Sequence, residues 1–289
     1  MIASVIIPNL HSPVVDRAVA AVFAQEGAAP AEVLVVGLDG PGRLTGDARV
    51  RLIPTDGPRL PGAARNLGVA QARPDAEVFV FVDADCVPEP GWLAAHLARH
   101  AAGATVVGGA VLWDEDNYWT LSDNLSMFHE CDASAAPGPR PYLPTLNLSV
   151  RRAAFDAAGP IDPSLPRGED IDWTIRLARA GHEPIFDPAA RLWHRPTRTT
   201  ARAMWAHWYE SGRWMVGVRA RHPEVFGART WLYRPWVLRL LSPAIAAVVT
   251  ARLYTPGRPG TRCYRTLPAV YATKLAWCWG AARPALRGD

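Results

Sequence analysis

The chain has 289 residues, 49% of them hydrophobic and 20% charged, enough apolar material for a sizeable core and too much for a disordered chain. The net charge of +4 hides a division: residues 1–194 hold fifteen basic and twenty-four acidic residues, residues 195–289 sixteen basic and three acidic. An acidic half suits a metal site and a basic half an anionic partner, and no recognition module for nucleic acid accompanies the basic charge.

In chain order, residues 4–8 read as a buried strand and residues 14–25 as a helix with Val15, Val19 and Val22 on one face. Residues 32–36 and 49–53 read as strands and 62–72 as a helix. Residues 78–82, Val-Phe-Val-Phe-Val, form a fourth strand that runs directly into Asp83-Ala84-Asp85. A helix over 92–100 and a strand over 104–112 follow. Residues 113–144 then read as a long irregular segment, of a length that is usually functional. Its Trp113, Tyr118 and Trp119 fit either stacking on a ligand or core filling. Residues 146–150 return to strand, 153–158 form a short helix closed by Gly159 and Pro160, 170–180 a helix stopped by Gly181, and 185–193 lead back to the core. This alternation specifies an α/β layered domain over residues 1–195.

Residues 196–289 read as a basic, helical extension. Met204, Trp208, Ser211, Met215 and Val218 recur at alternating four and three spacings, a stripe that either packs on its own domain or bridges to a lipid surface. Seven of the twelve tryptophans lie in this arginine-rich region, a mixture typical of interfacial helices. No run reaches the ~18 uncharged apolar residues of a span; the best, 240–250, is bounded by Arg239 and Arg252 and contains Pro243. An anionic membrane surface is therefore an expected partner, by contact and not by crossing. Cys86, Cys131, Cys263 and Cys278 have no Cys-x-x-Cys pair and read as isolated thiols of a reducing compartment. The absence of a basic leader before the first strand gives the expectation of a cytoplasmic protein, peripheral on the inner face of the cell membrane if the tail binds lipid.

Two constellations carry chemistry. Asp83 and Asp85 at the end of a hydrophobic strand put two hard oxygen ligands near one point, as a divalent cation with a diphosphate requires. Glu169, Asp170 and Asp172 crowd the start of a helix, more carboxylate than capping needs, and their mutual repulsion favours proton uptake by one of them.

With these in place, Ser4-Val-Ile-Ile-Pro8, Ala64-Arg-Asn-Leu-Gly68, Phe81-Val-Asp-Ala-Asp-Cys86, Asn147-Leu-Ser-Val-Arg-Arg152 and Gly168-Glu-Asp-Ile-Asp-Trp173 follow the order found in family 2 glycosyltransferases, which residues 3–195 resemble. The resemblance implies a GT-A fold, three-layered with a mixed, mainly parallel sheet. It also implies a nucleotide-diphosphate sugar donor, a sugar, glycolipid or lipid-linked acceptor, a divalent metal (Mn2+ or Mg2+) and inversion at the anomeric carbon. Carried over by position, Asp83 faces the donor ribose and diphosphate, Asp85 binds the metal with Asp83 beside it, and His194 is a third metal contact. Asp170 is the general base and Glu169 orients the acceptor. Arg65 and Asn66 reach the donor phosphates or order the loop beneath them, Pro8 and Asp39 lie toward the donor, and Asn147 and Trp173 toward the acceptor. One departure stands out: Gly37 and Leu38 occupy positions where the family commonly has acids, with Asp39 displaced, so the base of the nucleotide stays open. A nucleotidyltransferase is disfavoured by the lack of a Gly-rich triphosphate loop after the first strand, and a non-catalytic sugar-nucleotide-binding subunit by the Glu169-Asp170 pair.

Overall fold

The computed structural model describes residues 1–44, 46–227 and 229–283; residues 284–289, with Asp289 of the acid count, lie outside it. The chain forms two compact units, Met1–Leu112 with Ala133–Arg195, and Trp113–Asp132 with the C-terminal residues from Pro196. The expected division at residue 195 therefore differs in one respect: residues 113–132 pack with the C-terminal unit.

In the first unit the elements are β1 (Ala3–Leu10), α1 (Val15–Phe23), β2 (Glu32–Leu38), β3 (Val50–Pro54), α2 (Pro61–Gln71), β4 (Val78–Val82), β5 (Cys86–Pro88), α3 (Trp92–Ala101) and β6 (Val106–Leu112). After α4 (Tyr118–Phe128), which belongs to the second unit, come β7 (Gly138–Pro139), β8 (Asn147–Arg151), α5 (Arg152–Ala158), α6 (Glu169–Arg179) and β9 (Pro184–His194). One sheet runs β3-β2-β1-β4-β8-β6-β9-β5, with β7 also pairing β9. Six strands share a direction, and β5, β7 and β8 oppose it. All five residues of β4 are buried, as a strand covered on both faces must be, which explains its unbroken apolar run. Its carboxyl end lies where parallel pairing with β1 gives way to antiparallel pairing with β8, the kind of position where open α/β sheets bind ligands.

β9 carries the main irregularity. Its register against β6 jumps from Gly109↔Asp187 to Ala110↔Arg191, so three residues are looped out. Gly109 permits this: a Cβ there would lie 1.9 Å from the Ala190 carbonyl oxygen and 2.4 Å from the Asn147 amide nitrogen.

In the second unit, α7 (Ala201–Arg221), the short α8 (Pro223–Phe226), α9 (Pro235–Leu253) and α10 (Leu267–Ala281) join α4. The irregular stretch expected over 113–144 is thus corrected. Asn117 caps α4 by accepting from the Trp119 and Thr120 amides at 2.9 and 3.0 Å. Its apolar stripe, Leu121, Leu125 and Phe128 at helical spacing, is interleaved with Ser122, Asp123, Asn124 and Ser126, which are buried as well and read as loop residues in sequence. Tyr118 and Trp119 pack on the Met204–Trp208 cluster and Trp113 on the Leu125–Leu253 cluster, so these aromatics fill core. Met204, Trp208, Met215 and Val218 are likewise buried, and the α7 stripe packs within its own unit. Among the described residues, α9 alone is long and apolar enough to cross a membrane by length and composition; Arg239 and Arg252 lie within it, so it is not the uncharged run that a span was expected to need.

Asp123, fully buried, accepts from Arg198 Nε at 2.8 Å and from Trp208 Nε1 at 2.7 Å. Lys274, the chain's one lysine, donates to the Ser126 carbonyl and hydroxyl at 3.0 and 2.6 Å and lies 4.4 Å from the centroid of the Trp208 ring. Burial pulls its ammonium down from 10.5 to about 7. Between those values the unfolded chain holds a proton that the folded chain releases, so this group's contribution to stability falls as pH drops from 10.5 to about 7. Urea denaturation of wild type and Lys274→Met at pH 7 and about pH 9.5 should show wild type gaining on the variant at the higher pH. A constant difference between them would contradict this account.

Candidate active site

Asp83 and Asp85 sit on the turn from β4 to β5, which closes through the Cys86 amide donating to the Asp83 carbonyl at 3.0 Å. Arg65, on α2 and 2% exposed, lies between two elements. Its Nη2 donates to Asp83 Oδ1 at 2.5 Å and its Nη1 to Glu169 Oε1 at 2.9 Å. Burial works against its charge, and Asp83, Glu169 and Asp170 outweigh that, raising it above the usual arginine value. Arg65 is therefore a buried bridge, and the surface ion pair that arginine usually makes is not what it forms.

The acids that open α6 divide by role. Burial, then the neighbouring Asp170, push Glu169 up to about 7 against the pull of Arg65. Asp170 is also raised by burial, with Arg65 and the amides of Ile171 and Thr145 drawing it down and Asp83 pushing it up. Ile171 N–H donates to Asp170 Oδ1 at 2.8 Å. Glu169 is closed off at 6% exposure, whereas Asp170 is partly exposed. The third acid, Asp172, accepts from Arg176 Nε at 3.1 Å, and Arg176 in turn donates to the Ala158 and Pro160 carbonyls. It fastens α6 to the turn after α5.

His194 arrives from the other side of the sheet. It pairs with Cys86 across β5 and β9, and the Arg195 amide donates to the Asp85 carbonyl at 2.9 Å. His194 Nε2 lies 3.6 Å from Asp85 Oδ2, and one ligand atom each of Asp85, Cys86 and His194 fall within 4.8 Å of one another. Burial, then Asp85 and Asp83, hold the Cys86 thiol well above its ordinary value, so it stays a neutral thiol. The donors suited to a hard cation are the Asp85 carboxylate and the His194 imidazole. Asp83, expected beside them, is drawn instead to Arg65.

Other expected contacts are structural. Asn147 is 1% exposed. Its Oδ1 accepts from Trp92 Nε1 at 2.7 Å and faces His96 Nε2 at 3.0 Å, and its Nδ2 donates to the Ala110 and Ala190 carbonyls at 2.9 Å each. With both ends engaged it clamps the β9 bulge and has nothing left for an acceptor sugar. Trp173 is fully buried, edge-on to Phe81, its indole N–H donating to the Gly159 carbonyl at 2.9 Å, and is likewise removed from the acceptor set. Asn66 exchanges bonds with the backbone of Ile161, donating at 2.7 Å and accepting at 3.0 Å, so it orders the loop before α6 and does not reach a phosphate. Asp39 accepts from the Arg43 and Leu44 amides at 3.1 and 2.9 Å, holding its own loop. Pro8 is a partly exposed strand residue opposite Val36.

Residues outside the expected set complete the frame. Asn9 donates to the Leu38 carbonyl and accepts from the Ser12 amide, and the Ser12 hydroxyl donates to the Ala84 carbonyl at 3.2 Å. This ties the end of β1 to the acid turn. It also accounts for glycine at position 37, whose φ is +131° and whose Cβ would sit 2.0 Å from the Asn9 carbonyl oxygen. The only signal in the sequence was an Asn and a Ser at a strand-to-helix turn.

The mixed, mostly parallel sheet and its helices are those of the GT-A glycosyltransferase fold. The mannosyltransferase PcManGT from Pyrobaculum calidifontis, solved with GDP-Man and Mn2+, superposes with a TM-score of 0.63 at 19% identity, over 97% of this chain and 85% of that one. GalNAc-T7, solved with UDP, GalNAc and Mn2+, gives 0.53 at 17% identity over 68% of this chain and 44% of that one. Residues 4–157 match Glycosyl transferase family 2, and the chain belongs to that family. The glycosyltransferase AglE of Haloferax volcanii is 30% identical over 125 residues, 43% of this chain and 40% of that protein. The pre-mycofactocin glycosyltransferase of Mycobacterium tuberculosis is 30% identical over 173 residues, 57% of this chain and 36% of that protein. The chain thus spans well under half the length of these two relatives.

Asn147→Ala should leave several buried donors and acceptors unpaired, at about 1–3 kcal/mol each before relaxation. Chemical denaturation is expected to show a loss of about 3 kcal/mol or more. An acceptor-binding role would instead raise the acceptor KM at unchanged stability.

Proposed function

We propose that the chain is an inverting glycosyltransferase that moves a sugar from a nucleoside-diphosphate donor to a hydroxyl of a sugar, glycolipid or lipid-linked acceptor. The observation that carries this reading is the Asp83–Arg65–Glu169 bridge, which joins the donor-side turn to the acids of α6. Asp85 and His194 would hold a divalent cation, Mn2+ or Mg2+. A carboxylate and an imidazole suit such an ion, and both solved relatives named above were obtained with Mn2+. The ion, when bound, neutralises the diphosphate as it leaves. Asp83, drawn toward Arg65, faces the ribose and diphosphate with its partly exposed carboxylate. Asp170, partly exposed and raised by burial, takes the proton of the acceptor hydroxyl as its oxygen attacks the anomeric carbon opposite the leaving diphosphate. Single displacement inverts the centre and needs no covalent nucleophile. Glu169 stays behind, keeping Arg65 charged and Asp170 basic enough to act. The two solved structures were obtained with UDP and with GDP-Man, nucleotides of different bases.

In a thermal-shift panel of UDP, GDP and dTDP with and without Mn2+, at least one nucleotide should stabilise wild type only with the metal. Saturation to ~100 Kd corresponds to about 2.7 kcal/mol. Asp85→Ala should lose the effect. Metal-independent behaviour for all three nucleotides would remove the donor reading.

With a working donor, Asp170→Asn should lower kcat by about 10²–10⁴-fold while donor affinity holds; unimpaired turnover would take the base role from Asp170.

A further inference from the structure

The second unit leaves one face of α9 uncovered. Val237, Leu238, Ala246 and Leu253 turn into the bundle, whereas Trp236, Leu240, Ala244 and Val248, one every four residues, face outward. Trp236 is 62%, Leu240 70% and Val248 53% exposed. Four-residue spacing aligns them in a single ridge. Pro243 lies on the same outward side, and the helix is repaired around it: the Ser242 hydroxyl donates to the Arg239 carbonyl at 3.0 Å and accepts from Trp279 Nε1 at 3.2 Å. Trp279 is thereby pinned beside α9 with its polar edge satisfied and half of its surface open.

The charge along this part of the chain has one sign. Arg234, Arg239 and Arg252 are exposed, and between Glu224 and Asp289 the chain has ten Lys and Arg and no Asp or Glu. Soluble monomers rarely leave such a ridge bare, and tryptophan and arginine around an apolar stripe is the composition of a helix lying in a membrane interface.

We infer that α9 lies flat on an anionic lipid surface, with the Trp236–Leu240–Ala244–Val248 ridge at the acyl boundary and the flanking arginines against phosphate head groups. The two other occupants fit less well. Crossing the bilayer would pull Leu238 out of its cluster with Val216 and Ala281 and carry Arg239 into hydrocarbon. A second copy on the same face would bring arginines of both copies together with no acid to offset them. This surface belongs to the helical unit and is measured without donor or acceptor, so its failure and that of the proposed chemistry are separate results.

The test is co-sedimentation of the full chain with phosphatidylcholine vesicles, with and without phosphatidylglycerol. Wild type should bind the phosphatidylglycerol vesicles, less at high salt, and bind neutral vesicles weakly. Leu240→Asp with Val248→Asp should lower the partition coefficient about ten-fold or more. Arg239→Glu with Arg252→Glu, which keeps the ridge, should also lower it on the anionic vesicles. Both pairs are exposed, so unchanged thermal unfolding in each variant establishes that the fold survives. Absence of wild-type binding, or equal binding by the Asp variant, overturns the inference. Retention in the vesicle fraction after alkaline carbonate overturns it in favour of a crossing helix. A lipid-free dimer that the Asp substitutions dissociate overturns it in favour of a second copy.

Discussion

A guanidinium shut away from water must be met by carboxylates, and Arg65 draws the first unit's site together on that requirement. Its charge is tolerable only because Asp83 and Glu169 reach it from opposite elements. The end of β4 and the start of α6, 86 residues apart in sequence between Asp83 and Glu169, are thereby held to one point on α2. Asn66, the next residue, secures the loop that leads into α6 through the backbone of Ile161. Asp170 inherits its position from this framework and its raised proton affinity from the burial that comes with it. The same charge balance that permits the fold therefore also tunes the proposed base.

The metal side depends on a separate device. Between β6 and β9 the register slips by three residues, a slip that needs glycine at 109 and the amide of Asn147 across the bulge. Beyond it β9 continues to His194, which pairs with Cys86 and lies across from Asp85. A buried amide far from solvent thus sets where an imidazole stands.

The longer elements of the first unit are legible because β4, β1 and β2 are apolar runs of strand length and because the acids follow β4 directly; the short strands β5 and β7 are not, being two or three residues that contain proline. What the residues could not reveal was direction. Asn147 and Trp173 stand in familiar strings, yet both point inward, since a string records neighbours along the chain and not which face carries the side chain. Asp172 was read with Glu169 and Asp170 as one cluster, but a helix turns each residue by about 100° and sends it to Arg176. The helix α4 is masked differently: polar residues are buried between Leu121, Leu125 and Phe128, with Asp123 satisfied by Arg198 and Trp208 from 75 and 85 residues away. Partners at such separations leave no periodic trace.

The central claim is that Asp83 and Glu169 act through one buried cation. A double-mutant cycle of Asp83→Asn and Glu169→Gln on unfolding free energy, at a pH where both acids are ionised, tests it most directly. Either substitution alone leaves Arg65 one charged hydrogen-bond partner; together they leave it buried with none, and only the charge of Asp170 to offset it. The account predicts a double variant less stable than the sum of the singles by about 1 kcal/mol or more. Additive losses would mean that the two acids are independent, and the bridge from the donor turn to α6 would fall.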